Sequence, residues 1–150
     1  MIDAAGLTGR RLRAVTTSWH HHPESEPSLL HLWLHLDGLG PVRFHGTNDR
    51  ILLDVDEPHG PYDMGEYGHT TVERDLPGFP VHRFLGRRIL SVRAIRHQDG
   101  EFDCAVGLAL RFPGGDIRVL DLRDDLVVTG EELSTLDPEL REGPLTPLHS

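Results

Sequence analysis

Lysine is missing altogether: the fifteen basic residues are all arginine, twenty-four acidic residues oppose them, and the formal net charge is −9. A balance of that sign argues against binding to phosphate backbones or to an anionic membrane surface. Cysteine is almost missing as well. Cys104 alone cannot form a disulfide framework or a cysteine-based zinc site, so a reducing compartment is the default. No apolar run nears the roughly 20 residues a membrane helix requires, and Met1 to Val15 holds three arginines but no apolar signal core. These absences lead us to expect a soluble, unprocessed cytoplasmic protein that contacts neither nucleic acid nor membrane. Also lacking are a Gly-x-Ser-x-Gly elbow, a phosphate-cradling glycine loop and a dinucleotide fingerprint.

Within its 150 residues the chain has enough length for one domain with a full core, and it shows internal similarity. Leu7-Thr8-Gly9-Arg10-Arg11-Leu12 lies over Phe84-Leu85-Gly86-Arg87-Arg88-Ile89 at a shift of 77. Leu32, Leu34 and Leu36 fall on Leu108, Leu110 and Phe112 at a shift of 76, and Val42-Arg43-Phe44 falls on Ile117-Arg118-Val119 at 75. Asp49 to Leu53 falls on Asp124 to Val128 at the same shift of 75. We read this order as an internal duplication, although two β-meanders with similar turns would also look alike. In each copy the hydrophobic period is two, the mark of half-buried strands. In Leu30-His31-Leu32-Trp33-Leu34-His35-Leu36 the leucines share one face and His31, Trp33 and His35 the other.

The expected fold is all-β with at most short helical turns. Strands are predicted at about 9–19, 28–36, 41–46 and 50–55, then 86–97, 104–112, 116–122 and 125–129. Two four-stranded antiparallel meanders, repeats of about 7–56 and 84–130, then pack as a sandwich or a closed barrel with pseudo-twofold symmetry in one domain, 1–150. Residues 57–83 read as a joining loop, and Glu131 to Leu136 as a helical turn before a proline-rich tail. Gly9-Arg10-Arg11 and Gly86-Arg87-Arg88 read as strand entries whose arginines pair with acidic turns.

The chain has eleven histidines, eight of them before residue 70, including His20-His21-His22. If Leu34 pairs with Phe44, His35 faces Arg43, Trp33 faces His45, and His35 lies diagonal to His45. A zinc site on His35 and His45 with a loop carboxylate is then an alternative to the expectation of no cofactor, although Arg43 opposes a cation there. His21-His22-Pro23-Glu24 resembles the His-His-Pro signature of pterin carbinolamine dehydratases, in which histidines move a proton on a bicyclic substrate. The likeness covers four residues and lacks that family's long helices and its closely following aromatic. Cys104 has no neighbour that would activate a thiol and reads as a core residue.

The copies differ in their outward faces. The first hairpin presents His31, Trp33, His35, Arg43 and His45, where the second has Gly107, Ala109, Arg111, Arg118 and Leu120. Tyr62 and Tyr67 follow in the joining loop. Rings and arginine on a rigid sheet suit a recognition surface; equally, the loop could cover Trp33 and extend the core. Asp49, Asp54, Asp56, Glu57, Asp63, Glu66, Glu73 and Asp75 gather nearby, which suits a basic partner.

Gly86-Arg87-Arg88-Ile89-Leu90-Ser91-Val92, the alternating strand after it, Ile117-Arg118-Val119-Leu120-Asp121-Leu122 and Asp124-Asp125-Leu126-Val127-Val128 together resemble small bacterial β proteins of the polymorphic-toxin immunity type. The likeness spans residues 86–128 and transfers no catalytic residue. It implies a non-enzymatic module that binds and masks a partner protein. The alternatives from other classes are a small His-based or metal-dependent enzyme and a ligand-holding barrel.

Overall fold

The computed structural model describes residues 3–47, 50–58, 60–63, 65–97, 105–122 and 125–145. Along most of them the period-two pattern becomes strand. In chain order these are β1 (Leu12–His21), β2 (Ser28–Leu36), β3 (Gly40–Thr47), β4 (Arg50–Val55), β5 (Tyr62–Asp63) and β6 (His69–Arg74). The second half gives β7 (Ser91–His97), β8 (Gly107–Phe112), β9 (Gly115–Leu122), β10 (Asp125–Thr129), the one-turn helix α1 (Leu133–Leu136) and β11 (Leu140–Gly143). Cys104, proposed above as a core thiol, lies outside the described residues, as do His59, Asp49 and His149.

The chain builds two antiparallel sheets, ordered β4-β3-β2-β1-β6-β5 and β10-β9-β8-β7-β11. Apart from the two-residue β5, each holds five strands rather than the expected four. They do not close into a barrel, so that alternative is corrected to two open sheets. The fifth strand is β6 beside β1 in one sheet and β11 beside β7 in the other. Residues 57–83 are therefore not a plain loop: they hold β5, β6 and the short 3-10 turns Gly65–Tyr67 and His82–Phe84. The proline-rich tail likewise holds β11. The cause is backbone pairing: the first strand of each meander has a row of open N–H and C=O groups, and a short strand of weak periodicity satisfies them.

The inner faces meet in one cluster that joins Leu32, Leu34, Leu36, Val42 and Phe44 to Leu108, Leu110, Phe112, Ile117 and Val119. A second cluster, Ile95, Val106, Ala109, Leu120, Leu133 and Leu140, lies on the opposite face of the second sheet, beneath α1 and the start of β11. Arg118 is buried on that face, where Glu142 accepts from its Nε and Nη2 at 3.3 and 3.2 Å.

Two irregularities correct the simple alternation. Register slips between Ser18 and Trp19 leave Leu30 as an extra residue in β2. Leu29 instead packs against the core, and Leu30 is exposed, so only three of the four alternating leucines face inward. In the first hairpin Leu32, not Leu34, pairs with Phe44, because the turn closes on Leu36 and Gly40. Gly38 and Gly40, with φ of 81° and 89°, supply the left-handed backbone this three-residue turn needs.

The Gly-Arg-Arg segments sit where the halves meet. Gly9 N–H donates to Ile89 O at 2.7 Å and Gly86 N–H to Leu12 O at 2.8 Å. Leu12 N–H donates to Arg87 O, and Ile89 N–H to Arg10 O, each at 2.9 Å. Arg11 Nη1 donates to Gly86 O at 2.7 Å, and Arg88 Nη1 to Gly9 O at 3.0 Å. A shift of 77 residues carries each contact into its mate. Arg10 and Arg87 reach the turn carbonyls of Asp37 and Pro113, so the expected pairing with acidic side chains is replaced by bonds to carbonyl oxygens.

Gly9 and Gly86 both have φ of 84°, and an added Cβ at either would meet nothing within 4 Å. Alanine at either position then isolates the backbone penalty. Gly9→Ala and Gly86→Ala should each lower stability in urea unfolding by about 1–2 kcal/mol, and by similar amounts.

Candidate functional site

The outward side chains of the first sheet come from β1 to β4. Across the strands, Thr16 pairs with Trp33, Trp33 with Arg43, and Arg43 with Asp54. The corrected register sets His35 opposite Pro41, four residues along β3 from His45, or about 13 Å at strand rise. The diagonal His35–His45 pair invoked for zinc is therefore not assembled. His45 lies near His31 instead, with ring centroids 6.3 Å apart. Among the described residues no group of three or more His, Cys, Asp or Glu side chains could hold a metal ion.

Polar groups on this face bond largely to one another. Arg43 donates from Nε and Nη2 to the two oxygens of Asp54 at 3.0 and 2.8 Å and lies 3.4 Å from Asp56; His45 Nε2 is 3.3 Å from Asp54. The bond from Arg43, followed by its charge, holds the Asp54 carboxyl below the usual carboxylate range against the opposing effect of burial. His35 Nε2 is 2.7 Å from the Thr16 hydroxyl, and His31 Nδ1 is 3.4 Å from the Ser18 hydroxyl. Trp33 is 0% exposed, with His31 edge-on to it at 5.5 Å.

The chain between Val55 and Tyr62 joins β4 at one edge of the sheet to β5 at the other, five strand spacings or about 24 Å away. The inner face is filled by the second sheet. Glu57, early in that connection, lies close enough to His35 for its charge to favour the protonated ring. Of the sequence-predicted binding residues, the structure thus sets Trp33 in the interior, Arg43 and His45 on Asp54, and His31 and His35 half-buried beside Trp33. The backbones of Tyr62 and Tyr67 lie in β5 and in the turn after it.

A groove of about 660 Å³ opens at the far end of β1 and β6, lined by His21, His22, Pro23, Pro61, Gly65, Gly68, His69, Thr70 and Thr71. His21 and His69 stack with centroids 4.8 Å apart and ring planes within 5°, and His21 Nε2 is 2.8 Å from the Thr71 hydroxyl. Parallel rings send their in-plane lone pairs in parallel directions, so the pair does not converge on one ion. Sequence reasoning noted both histidines without joining them, since their contact depends on β6 pairing with β1. The β-branched run Thr70-Thr71-Val72 was the available signal.

Comparison of the chain with family models, with curated proteins and with solved structures finds no match.

Trp33→Ala should cost about 3–5 kcal/mol in urea unfolding, the range for emptying a buried aromatic site. Burial, then the charge of Arg74, hold His35 below its ordinary value of 6.5. Above that pH the ring is neutral in both the folded and unfolded chain. As the pH falls below it, the unfolded chain takes up the proton first and stability declines. His35→Gln should flatten that decline when thermal midpoints are compared between about pH 7 and pH 5.

Proposed function

We propose that the protein is a non-enzymatic binding module that masks a basic surface on a partner protein, in the manner of an immunity-type inhibitor, in a reducing cytoplasm. The observation that carries this reading is the placement of charge. Residues 54–75 contain seven carboxylates and one arginine, a net −6 within a chain of −9. The segment is tied to the first sheet by the pairing of β4, β5 and β6. Glu57, Glu66 and Glu73 are exposed, and among the described residues none of the three is engaged in an ion pair. The second connection is acidic too, but Glu142 and Glu132 there lie 3.2 and 4.0 Å from the buried Arg118. Charge of one sign on an ordered scaffold speeds encounter with an opposite surface and excludes like-charged competitors. The matching strand orders support the further reading that both sheets descend from one ancestral unit, of which the first kept the partner-facing exterior.

The test uses the product of the gene adjacent to this one as candidate partner. Wild-type affinity should fall steeply with added salt, and E57K/E66K/E73K should bind at least about tenfold more weakly while its circular dichroism is unchanged. Salt-insensitive binding that survives the triple reversal would remove this surface from the interface.

A further inference from the structure

We infer that the groove beside His21 and His69 is a socket for the guanidinium group of a partner's arginine. The inference rests on the reading of a basic partner and adds where one of its side chains goes. The walls favour a flat cation. The stacked imidazoles present ring faces, with His69 exposed on the groove side, and Pro23 and Pro61 add apolar surface. Thr71 brings a hydroxyl, which His21 Nε2 meets at 2.8 Å. Gly68, at φ 101°, lies so close to the His21 carbonyl oxygen that any side chain there would collide with it, so backbone lines that part of the groove.

A guanidinium is planar, weakly hydrated and always charged; it stacks on ring faces while its edge N–H groups donate to carbonyl and hydroxyl oxygens. A lysine ammonium is compact and strongly hydrated and gains less from such walls. The surrounding charge selects the same way: the lining from Pro61 to Thr71 belongs to the segment of net −6, which also holds the exposed Glu66 and Glu73. That field disfavours a phosphate or carboxylate ligand, and the parallel rings disfavour a metal.

The experiment follows imidazole ring protons of the full chain by NMR during titration with L-argininamide. At about pH 8 the His21 and His69 signals should shift saturably with a Kd of about 1–10 mM, the scale open to so small a ligand. His69→Ala should weaken binding at least about fivefold with the remaining spectrum unchanged; His69→Gln, which keeps polarity but loses the ring, serves the same purpose if the alanine variant unfolds. L-lysinamide should bind about threefold more weakly or worse. Absence of saturable shifts up to about 50 mM, equal binding by the His69 variants, or shifts produced by inorganic phosphate instead would overturn the assignment. Loss of partner binding in E57K/E66K/E73K alongside wild-type partner binding in His69→Ala would sink the socket and leave the basic-partner reading standing.

Discussion

Two apolar sheet faces that can be buried only against each other are the constraint from which the rest of this molecule follows. The leucines of β2 with Phe44, and Leu108, Leu110 and Phe112 of β8, fill one shared cluster. Neither sheet has another way to remove that surface from water. Their mutual position is then set by bonds rather than by grease: the exchanged contacts of Gly9, Arg11 and Leu12 with Gly86, Arg88 and Ile89 fix how the halves cross. Hydrophobic burial has no direction, whereas paired N–H and C=O groups do.

With the inner faces committed, only the outer ones are left to vary. In each sheet a connection follows the fourth strand and leads to a fifth. In the second sheet it brings Leu133 and Leu140 onto Ile95, Ala109 and Leu120. In the first it carries carboxylates. The difference foreseen between the two exteriors has a packing origin: Ala109 and Leu120 are apolar because they cluster with Leu133 of α1 and Leu140, whereas His31, His35 and His45 have hydroxyls, an indole and a carboxylate beside them.

Eight strands were legible because alternation reports one buried face, and in β2, β4 and β10 the predicted bounds coincide with the observed ones. The fifth strands were not, because β6 and β11 are edge partners held by main-chain bonds that side-chain period does not encode. Pairing register was missed by two residues: Gly38-Leu39-Gly40-Pro41 reads as one long turn, yet Gly40 already pairs with Leu36. That small error set His45 beside His35 rather than beside His31 and made a zinc pair look assembled. The bulge at Leu30 was hidden for a related reason, since an unbroken run of alternating leucines gives no hint that one residue is skipped. The groove could not be read at all, for its two principal rings are 48 positions apart and meet only through β6.

The reciprocal bonds at the centre also bear on how the chain reaches its native state. Arg11 finds the Gly86 carbonyl, and Arg88 the Gly9 carbonyl, across separations of 75 and 79 residues. The opening strand can pair at once with β2, but the clasp that seats one half on the other cannot close until the second Gly-Arg-Arg segment has been made. Contacts so far apart in sequence slow the final docking of the halves.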